Sequence, residues 1–169
     1  LNMTPEEIST VRMSRIAKVG VISDTHGFLR PEAVAVLAGV ERIIHAGDVG
    51  GLEILKELSI IAPVTVVRGN IDSQPWEAAL PRTEIIEIGE RSFYIIHDIN
   101  DLDIDLKAAG IDMVVYGHSH RPIMEHRSDG VWYLNPGSAG PRRFSLPITI
   151  AYLEVSSTKI NGEIINLET

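Results

Sequence analysis

The sequence contains no cysteine, so disulfide bonds and thiolate metal sites are excluded. It also has no apolar stretch near the ~18 residues that cross a bilayer, and its first residues lack the basic-then-apolar order of a signal peptide. Basic residues are outnumbered, with 15 Lys and Arg against 23 Asp and Glu. The net charge of -8 argues against extended nucleic-acid binding. We therefore expect a cytoplasmic protein with no membrane segment, in which any metal is bound by His, Asp, Asn or Glu.

The chain has 169 residues, of which 44% are hydrophobic, enough for one domain with its own core. Residues 1–12 are predicted to be an N-terminal extension or a short helix, because Thr4-Pro5-Glu6-Glu7 has the order of a capping box with proline at the first helical position. Met13 is an alternative start. The single domain is placed at residues 13–169.

In the first half of the chain, short β-branched strands alternate with helices, which indicates parallel pairing. The predicted strands are a run from Ala17 that ends at Asp24, then Arg42–His45 and Val64–Val67, and the predicted helices are Glu32–Ala38 and Leu52–Ile60. In the second half, antiparallel pairing is predicted for most strands. The segments are a hairpin of Thr83–Ile88 with Ser92–Ile96, a helix over Asp101–Ala109, a buried strand Met113–Tyr116, and further strands at Pro122–Arg127, Val131–Leu134, Ile148–Val155 and Ile164–Leu167. The fold class is α/β (α+β): a two-sheet β-sandwich flanked by helices.

Metal-ligating side chains follow these apolar runs. The first strand stops at Asp24 and His26, which in extended backbone would project to the same side and reach one ion. The same succession of an apolar run and a polar ligand recurs at Asp48, Asn70, His97, His118 and His120. In parallel sheets, ligands gather beyond the carboxyl ends of the strands, so we expect these side chains to meet.

The ordered set Asp24-x-His26, Gly47-Asp48, Gly69-Asn70, His97 and Gly117-His118-x-His120 resembles the motifs of the calcineurin-like metallophosphoesterases. Over residues 18 to about 143, the chain is similar to the small single-domain bacterial and archaeal phosphodiesterase branch of that family. The resemblance implies that Asp24, His26 and His120 bind one divalent ion. It also implies that Asn70, His97 and His118 bind a second, and that Asp48 bridges the two. All seven are then metal ligands and catalytic residues.

The implied reaction is phosphoester hydrolysis, most simply of a phosphodiester, by in-line attack of a metal-bridging hydroxide. Two Mn²⁺ ions are the first choice, with Fe, Ni, Co or Zn as alternatives that the ligand types do not separate. Asn70 and Arg142 are the substrate-binding candidates, with Arg143 as an alternative to Arg142. The substrate is expected to be a small phosphoester.

Several polar residues near these motifs are predicted to be structural. His45 is interpreted as a hydrogen-bonded histidine at a strand end, and His126 as exposed. The turn Asn135-Pro136-Gly137-Ser138 is predicted to position His118 and His120.

Two positions depart from the family pattern. Asp98 follows His97 where glycine is common, which places an extra carboxylate near the second metal. Ile71 follows Asn70 where phosphatases of the family carry a histidine that helps the leaving oxygen depart. We expect Asp24, Asp48, Asp72 and Asp98 to line the pocket.

Three alternatives remain at this stage. A retromer-subunit-like scaffold of the same fold would not need a complete ligand set, and this sequence lacks none of the seven. A phosphomonoesterase would share the metals, while a nuclease would need a basic groove or an added domain. A homodimer is also possible, motivated by the apolar Ile60-Ile61 and Trp76.

Overall fold

The computed structural model describes residues 2–8 and 15–168. Residues 5–8 form helix α1. Directly before it, the Thr4 N–H donates to Glu7 Oε2 over 2.7 Å, and the Glu7 N–H donates back to Thr4 Oγ1 over 3.2 Å. This is the predicted capping box. The proposed boundary between residues 12 and 13 and the alternative start at Met13 lie outside the described residues. Within the described residues, no helix has the length and apolar composition that crossing a bilayer requires.

The first of two five-stranded sheets contains the chain's opening β–α units and its last two strands. Its elements are β1 (Ala17–Ile22), β2 (Arg42–His45), β3 (Val64–Val66), β9 (Thr149–Val155) and β10 (Ile160–Asn166). The order is β10-β9-β1-β2-β3, with β1, β2 and β3 parallel and the other two pairs antiparallel. Strand β10 begins four residues before the predicted Ile164, since polar residues in its first half hide it from a hydrophobicity pattern while it pairs along β9.

The second sheet contains β4 (Thr83–Ile88), β5 (Arg91–Ile96), β6 (Met113–Val115), β7 (Ile123–His126) and β8 (Trp132–Asn135). The order is β4-β5-β6-β8-β7, with β5, β6 and β8 parallel to one another. The prediction that β8 pairs only with antiparallel neighbours is therefore wrong. It pairs antiparallel with β7 but parallel with β6. Both sheets are mixed; the parallel strands are central in the second sheet, whereas in the first they extend to the edge strand β3.

The main core lies between the two sheets. Alternate residues of each strand face it, as period-2 geometry requires: Val19 and Val21 of β1 pack in the same cluster as Phe93 and Ile95 of β5. The opposite face of the first sheet is covered by α2 (Pro31–Leu37) and α3 (Leu52–Ile61). This confirms the predicted two-sheet sandwich with outer helices.

The outer face of the second sheet is covered by irregular chain, and the helix predicted over Asp101–Ala109 is wrong. A 3₁₀ turn at Ile99–Asp101 is followed by turns, while Leu106 still packs against the sheet. Aspartates at 101, 103 and 105 favour this outcome, since short carboxylates compete for nearby backbone N–H groups. Asp105 does so directly, accepting from the Ala108 N–H over 3.0 Å.

One short helix was missed, α4 (Pro75–Ala78). The signal was present, because Pro75 stands at its first turn and Glu77 Oε2 accepts from the Gln74 N–H over 2.7 Å, as in a capping box.

Candidate metal centre

The seven candidate ligands come from loops that leave the carboxyl ends of parallel strands in both sheets. Asp24 and His26 follow β1, Asp48 follows β2, and Asn70 follows β3. From the second sheet, His97 follows β5, and His118 and His120 follow β6. The two sets of loops meet at one end of the sandwich, where Asp48 Oδ2 lies 3.3 Å from His97 Nε2.

The backbone at these ligands is left-handed, not extended. Asp24, His26, Asp48, His118 and His120 all have φ between 47° and 68°, and only two other described non-glycine residues, Glu90 and Phe144, have positive φ. The sequence argument that extended backbone brings positions i and i+2 together is therefore wrong in its geometry, although Asp24 and His26 do converge. Left-handed backbone is costly for histidine and is characteristic of functional sites.

Glycines before two of the ligands permit very close packing between the loops. A Cβ at Gly69 would lie 2.1 Å from Asp48 Oδ1, and one at Gly117 would lie 2.1 Å from Ser23 Oγ and 2.6 Å from Asp24 Oδ2. Any side chain at these two positions would displace a candidate ligand.

Asp24, His26 and His120 form the first ligand group. His120 Nε2 lies 3.3 Å from Asp24 Oδ1 and 3.3 Å from His26 Nε2. Asp24 and His120 are buried, and Asp24 Oδ1 has no hydrogen-bond partner among the described residues. The other oxygen, Oδ2, accepts from Ser23 Oγ over 2.6 Å, which orients the carboxylate.

Asp48, Asn70, His97 and His118 form the second group. Asn70 Oδ1 lies 3.0 Å from both His97 Nε2 and His118 Nδ1. His97 Nδ1 donates to the Ala46 carbonyl over 2.7 Å, which turns Nε2 toward Asp48 and Asn70. A backbone carbonyl on the far nitrogen is the usual device for orienting a metal-binding histidine.

Asp48 lies between the two groups. Its Oδ2 is 3.8 Å from His26 Nε2 on one side and 3.3 Å from His97 Nε2 on the other. Its Oδ1 accepts from the Ile71 N–H over 3.0 Å, which fixes the rotation of the carboxylate.

These residues fit divalent metal ions. A buried carboxylate oxygen without a donor is costly, and lone-pair-bearing atoms that converge from several loops need a cation between them. Carboxylate, imidazole and amide oxygen suit intermediate divalent ions. The ligating atoms of Asp24, His26 and His120 lie within 4.8 Å of one another, and so do those of Asp48, His97 and His118.

The pKa shifts agree with this interpretation. Burial lowers the pKa of His26 even though Asp48 and Asp24 raise it, so its Nε2 is available as a ligand at neutral pH. Burial also lowers the pKa of His97, but the nearby Asp48 and Asp24 carboxylates outweigh it and raise the pKa overall. The centre therefore favours positive charge beside Asp48.

His45 is fully buried beneath the centre and holds two of its loops together. Thr25 Oγ1 donates to the Val49 carbonyl over 2.8 Å and so accepts from His45 Nε2 at 2.9 Å, while His45 Nδ1 accepts from the Gly47 N–H over 3.1 Å. Both ring nitrogens are thus engaged by a neutral imidazole. Burial lowers the pKa of His45 to about 4. The structure agrees with the interpretation of His45 as a hydrogen-bonded residue.

We expect His45 to make the metal-free protein less stable in mild acid. Its folded pKa of about 4 lies below its unfolded value of 6.5, so the unfolded chain takes up the proton first and stability falls as pH drops through this interval. The loss between pH 6.5 and pH 5 is about 2 kcal/mol. Chemical denaturation across this range should show a shallower pH dependence for His45→Gln than for wild type. Parallel curves would contradict the assignment.

Asp72 does not line the pocket, contrary to the sequence prediction. It is buried, and both of its oxygens accept from backbone N–H groups. Asp98 does lie beside the second group, with Oδ2 3.6 Å from His118 Nε2. An open groove of about 570 Å³ extends from this side and is lined by Asn70, His97, His118, Asp98, Arg68 and Arg82, among others.

The other residues singled out from the sequence lie at different places around the centre and on the surface. Arg142 is exposed and pairs with Glu168, whereas Arg143 is the arginine whose charge acts on His26. His126 is exposed on β7, where Nε2 donates to the Gly130 carbonyl over 3.0 Å. Asn135 Nδ2 donates to the Gly117 carbonyl over 3.0 Å and to Ser119 Oγ over 3.1 Å, so the turn after β8 does hold the segment that carries His118 and His120.

Hydroxyl groups around the first ligand group were missed by the sequence reasoning. Ser23 and Thr25 alternate with Asp24 and His26, and Ser138 Oγ donates to the Asp24 carbonyl over 3.0 Å. The alternation Ser-Asp-Thr-His was a usable signal, because each hydroxyl fixes a loop that carries a ligand.

Carboxylate, imidazole and amide groups that converge from two sheets form the kind of centre used by metal-dependent hydrolases. The chain belongs to the calcineurin-like phosphoesterase superfamily, whose domain profile matches residues 17–158. This confirms the resemblance drawn from the motif order.

Two curated relatives are archaeal. A probable metallophosphoesterase of Methanothermobacter thermautotrophicus is 36% identical over 159 residues, covering 87% of this chain and 91% of the relative. A protein named as a phosphodiesterase, from Methanocaldococcus jannaschii, is 31% identical over 138 residues, covering 71% and 82%.

The fold also occurs in a vacuolar sorting protein. The structure of vacuolar protein sorting 29 from Cryptosporidium parvum superposes with a TM-score of 0.72 at 20% identity, covering 89% of this chain and 97% of that one. At that identity the likeness concerns the fold alone.

Proposed function

We propose that this protein is a phosphodiesterase that depends on two divalent metal ions and acts on small phosphoesters. The observation that carries the proposal is the position of Asp48, with one oxygen between His26 of the first ligand group and His97 of the second. Asp24, His26 and His120 would hold one ion. Asn70, His97 and His118 would hold the other, and Asp48 would serve both.

Two divalent ions, when bound, supply Lewis-acid stabilisation of phosphoryl oxygens and a water of lowered pKa. The protein's part is orientation. Ser23, the Ala46 carbonyl and the Ile71 N–H fix the rotations of Asp24, His97 and Asp48, respectively. This prior ordering means that little reorganisation is needed at the moment of reaction. Mn²⁺ is the first choice of ion, with Fe, Ni, Co or Zn as alternatives.

The groove beside the second ligand group supports a small substrate. Its volume of about 570 Å³ lies in the range of small-molecule sites. Arg68 and Arg82 line it together with Asn70 and can attract a phosphoester, although Asp98, Asp101 and Asp103 also line it. Asn70 is exposed and remains our substrate-binding candidate. Arg142 would have to leave Glu168 before it could take part.

A non-catalytic scaffold is the second candidate, and the fold shared with a vacuolar sorting protein favours it. A hydrolysis assay distinguishes the enzyme from the scaffold. After metal removal and reconstitution, a screen of phosphodiesters and phosphomonoesters should show turnover that a chelator abolishes and Mn²⁺ restores. A protein that binds two ions and hydrolyses none of these esters would support the scaffold instead. The cytoplasmic location and the lack of extended nucleic-acid binding stay predictions.

We also propose a homodimer, on narrower grounds than the sequence suggested. Ile60 is 85% exposed at the end of α3, but Ile61 and Trp76 pack against the core beneath the helices. Ile60 offers an apolar contact for a second copy of the chain, and symmetric pairs are the commonest oligomer. Light scattering at micromolar concentration should give twice the chain mass, and Ile60→Lys should reduce it. A wild-type monomer would end the proposal.

A further inference from the structure

Asp72 is a buried carboxylate that the proposed chemistry does not use. It lies two residues after Asn70 and is 4% exposed. Oδ2 accepts from the Gly69 N–H over 2.8 Å and from the Asp48 N–H over 3.0 Å. Oδ1 accepts from the Val49 N–H over 3.0 Å and from the Gly50 N–H over 3.4 Å. A carboxylate has about four acceptor positions, so this one has none left for a metal or a substrate.

The four donors belong to two loops that carry candidate ligands. Asp48, Val49 and Gly50 follow β2, and Gly69 directly precedes Asn70 after β3. A single side chain therefore sets the distance between the loop that carries Asp48 and the loop that carries Asn70.

The contact between these loops is reciprocal. Asp72 holds the backbone of Asp48, and the Ile71 N–H in turn donates to Asp48 Oδ1 over 3.0 Å. With its backbone and one oxygen fixed in this way, Asp48 has its other oxygen directed between His26 and His97. The φ of Asp48 is 54°, a conformation that the surrounding structure must impose on a residue other than glycine.

We propose that Asp72 is a positioning residue for the second ligand group. It acts through Asp48 and Asn70 and touches neither metal nor substrate. The inference rests on the proposed two-metal function. Loss of Asp72 should weaken the second site more than the first, because Asp72 fixes the loops of both Asp48 and Asn70, whereas only Asp48 would also serve the first site.

The variant Asp72→Asn tests this role. Its amide group would point two N–H donors at backbone N–H groups and leave two of the four donors without an acceptor. The control is Glu77→Gln, since Glu77 is also 4% exposed and its carboxylate also accepts from a backbone N–H, that of Gln74 directly before α4. Asp72→Ser, which retains one acceptor oxygen, replaces Asp72→Asn if that variant is not recovered folded.

Two readouts distinguish positioning from general damage to the fold. Mn²⁺ titration of the metal-free proteins should give two equivalents for wild type and Glu77→Gln. For Asp72→Asn, the site formed by Asn70, His97 and His118 should lose roughly 10- to 100-fold in affinity and the other site less, as expected when a residue that orients a ligand is removed. Electron paramagnetic resonance at limiting Mn²⁺ should change from a coupled two-ion signal to that of an isolated ion, and excess Mn²⁺ should restore the coupled signal.

The outcomes separate this inference from the proposed function. Two sites of wild-type affinity in Asp72→Asn would overturn the positioning role while leaving the two-metal function intact. Equal weakening of both sites would also overturn it, because the effect would then arise through Asp48 alone and not through the loop that carries Asn70. A wild-type protein that binds fewer than two ions would overturn both.

Discussion

Asp48→Asn is expected to bind less metal at both sites than wild type and to lose hydrolysis by on the order of 10³-fold in kcat/KM. One oxygen of Asp48 faces both ligand groups, so in the proposed two-metal site a single substitution would remove an anionic ligand from two ions. The amide oxygen of asparagine can still accept from the Ile71 N–H, and asparagine tolerates left-handed backbone well. The loss should therefore arise from the centre and not from unfolding.

Metal analysis after desalting, combined with thermal denaturation of the metal-free proteins, checks this expectation. His126→Ala is the matched control, because His126 is exposed on β7, where its ring donates to the nearby Gly130 carbonyl and packs beside Trp132, and it belongs to neither ligand group. It should retain two equivalents and full activity. Retention of two full equivalents by Asp48→Asn would remove the basis for a bridging role.

The rate of hydrolysis should also depend strongly on the leaving group of the ester. Ile71 follows Asn70, is 42% exposed, and cannot donate a proton to a departing alkoxide. Positioned proton donation is worth about 10² to 10⁴ in rate. Aryl esters need it least, and a diester brings less negative charge to a centre that contains Asp24, Asp48 and Asp98. We expect hydrolysis of activated phosphodiesters to exceed that of alkyl phosphomonoesters, in the presence of metal, by a factor in this range.

Two substitutions at this position test the explanation. Ile71→His should improve alkyl monoesters selectively, because its imidazole can supply the missing proton, whereas Ile71→Gln is polar but cannot do so at neutral pH. The measurement is kcat/KM for both ester classes in all three proteins. A wild-type preference for alkyl monoesters would show that another group, such as Arg68 or Arg82 in the groove, assists departure.

Much of the architecture could be predicted because buried strands carry strong β-branched patterns that end at polar ligands. The runs before Asp24, Asp48 and Asn70 are all parallel strands of one sheet, as predicted. Sequence patterns gave wrong predictions where side chains compete for backbone hydrogen bonds and where a strand carries polar residues. The aspartate-rich segment after Asp98 forms turns instead of a helix, and the first half of β10 escaped notice at the edge of its sheet.

The candidate ligands could be named from the sequence, but their backbone could not. Left-handed conformations at Asp24, His26, Asp48, His118 and His120 are imposed by contacts between loops that are distant in sequence. The position of Asp72 could not be predicted for the same reason, because it too depends on contacts between loops that are distant in sequence. Its position after Asn70 suggested another pocket carboxylate, and only the meeting of the β2 and β3 loops shows four backbone donors directed at it.

Anomalous diffraction from Mn²⁺-loaded crystals would show directly whether two metal ions share Asp48. We predict two peaks about 3.5 to 4 Å apart, the separation usual for two-metal hydrolytic sites. One should lie against Asp24, His26 and His120, the other against Asn70, His97 and His118, with Asp48 in contact with both. A single peak, or two peaks of which Asp48 touches only one, would rule out a pair of ions that share Asp48.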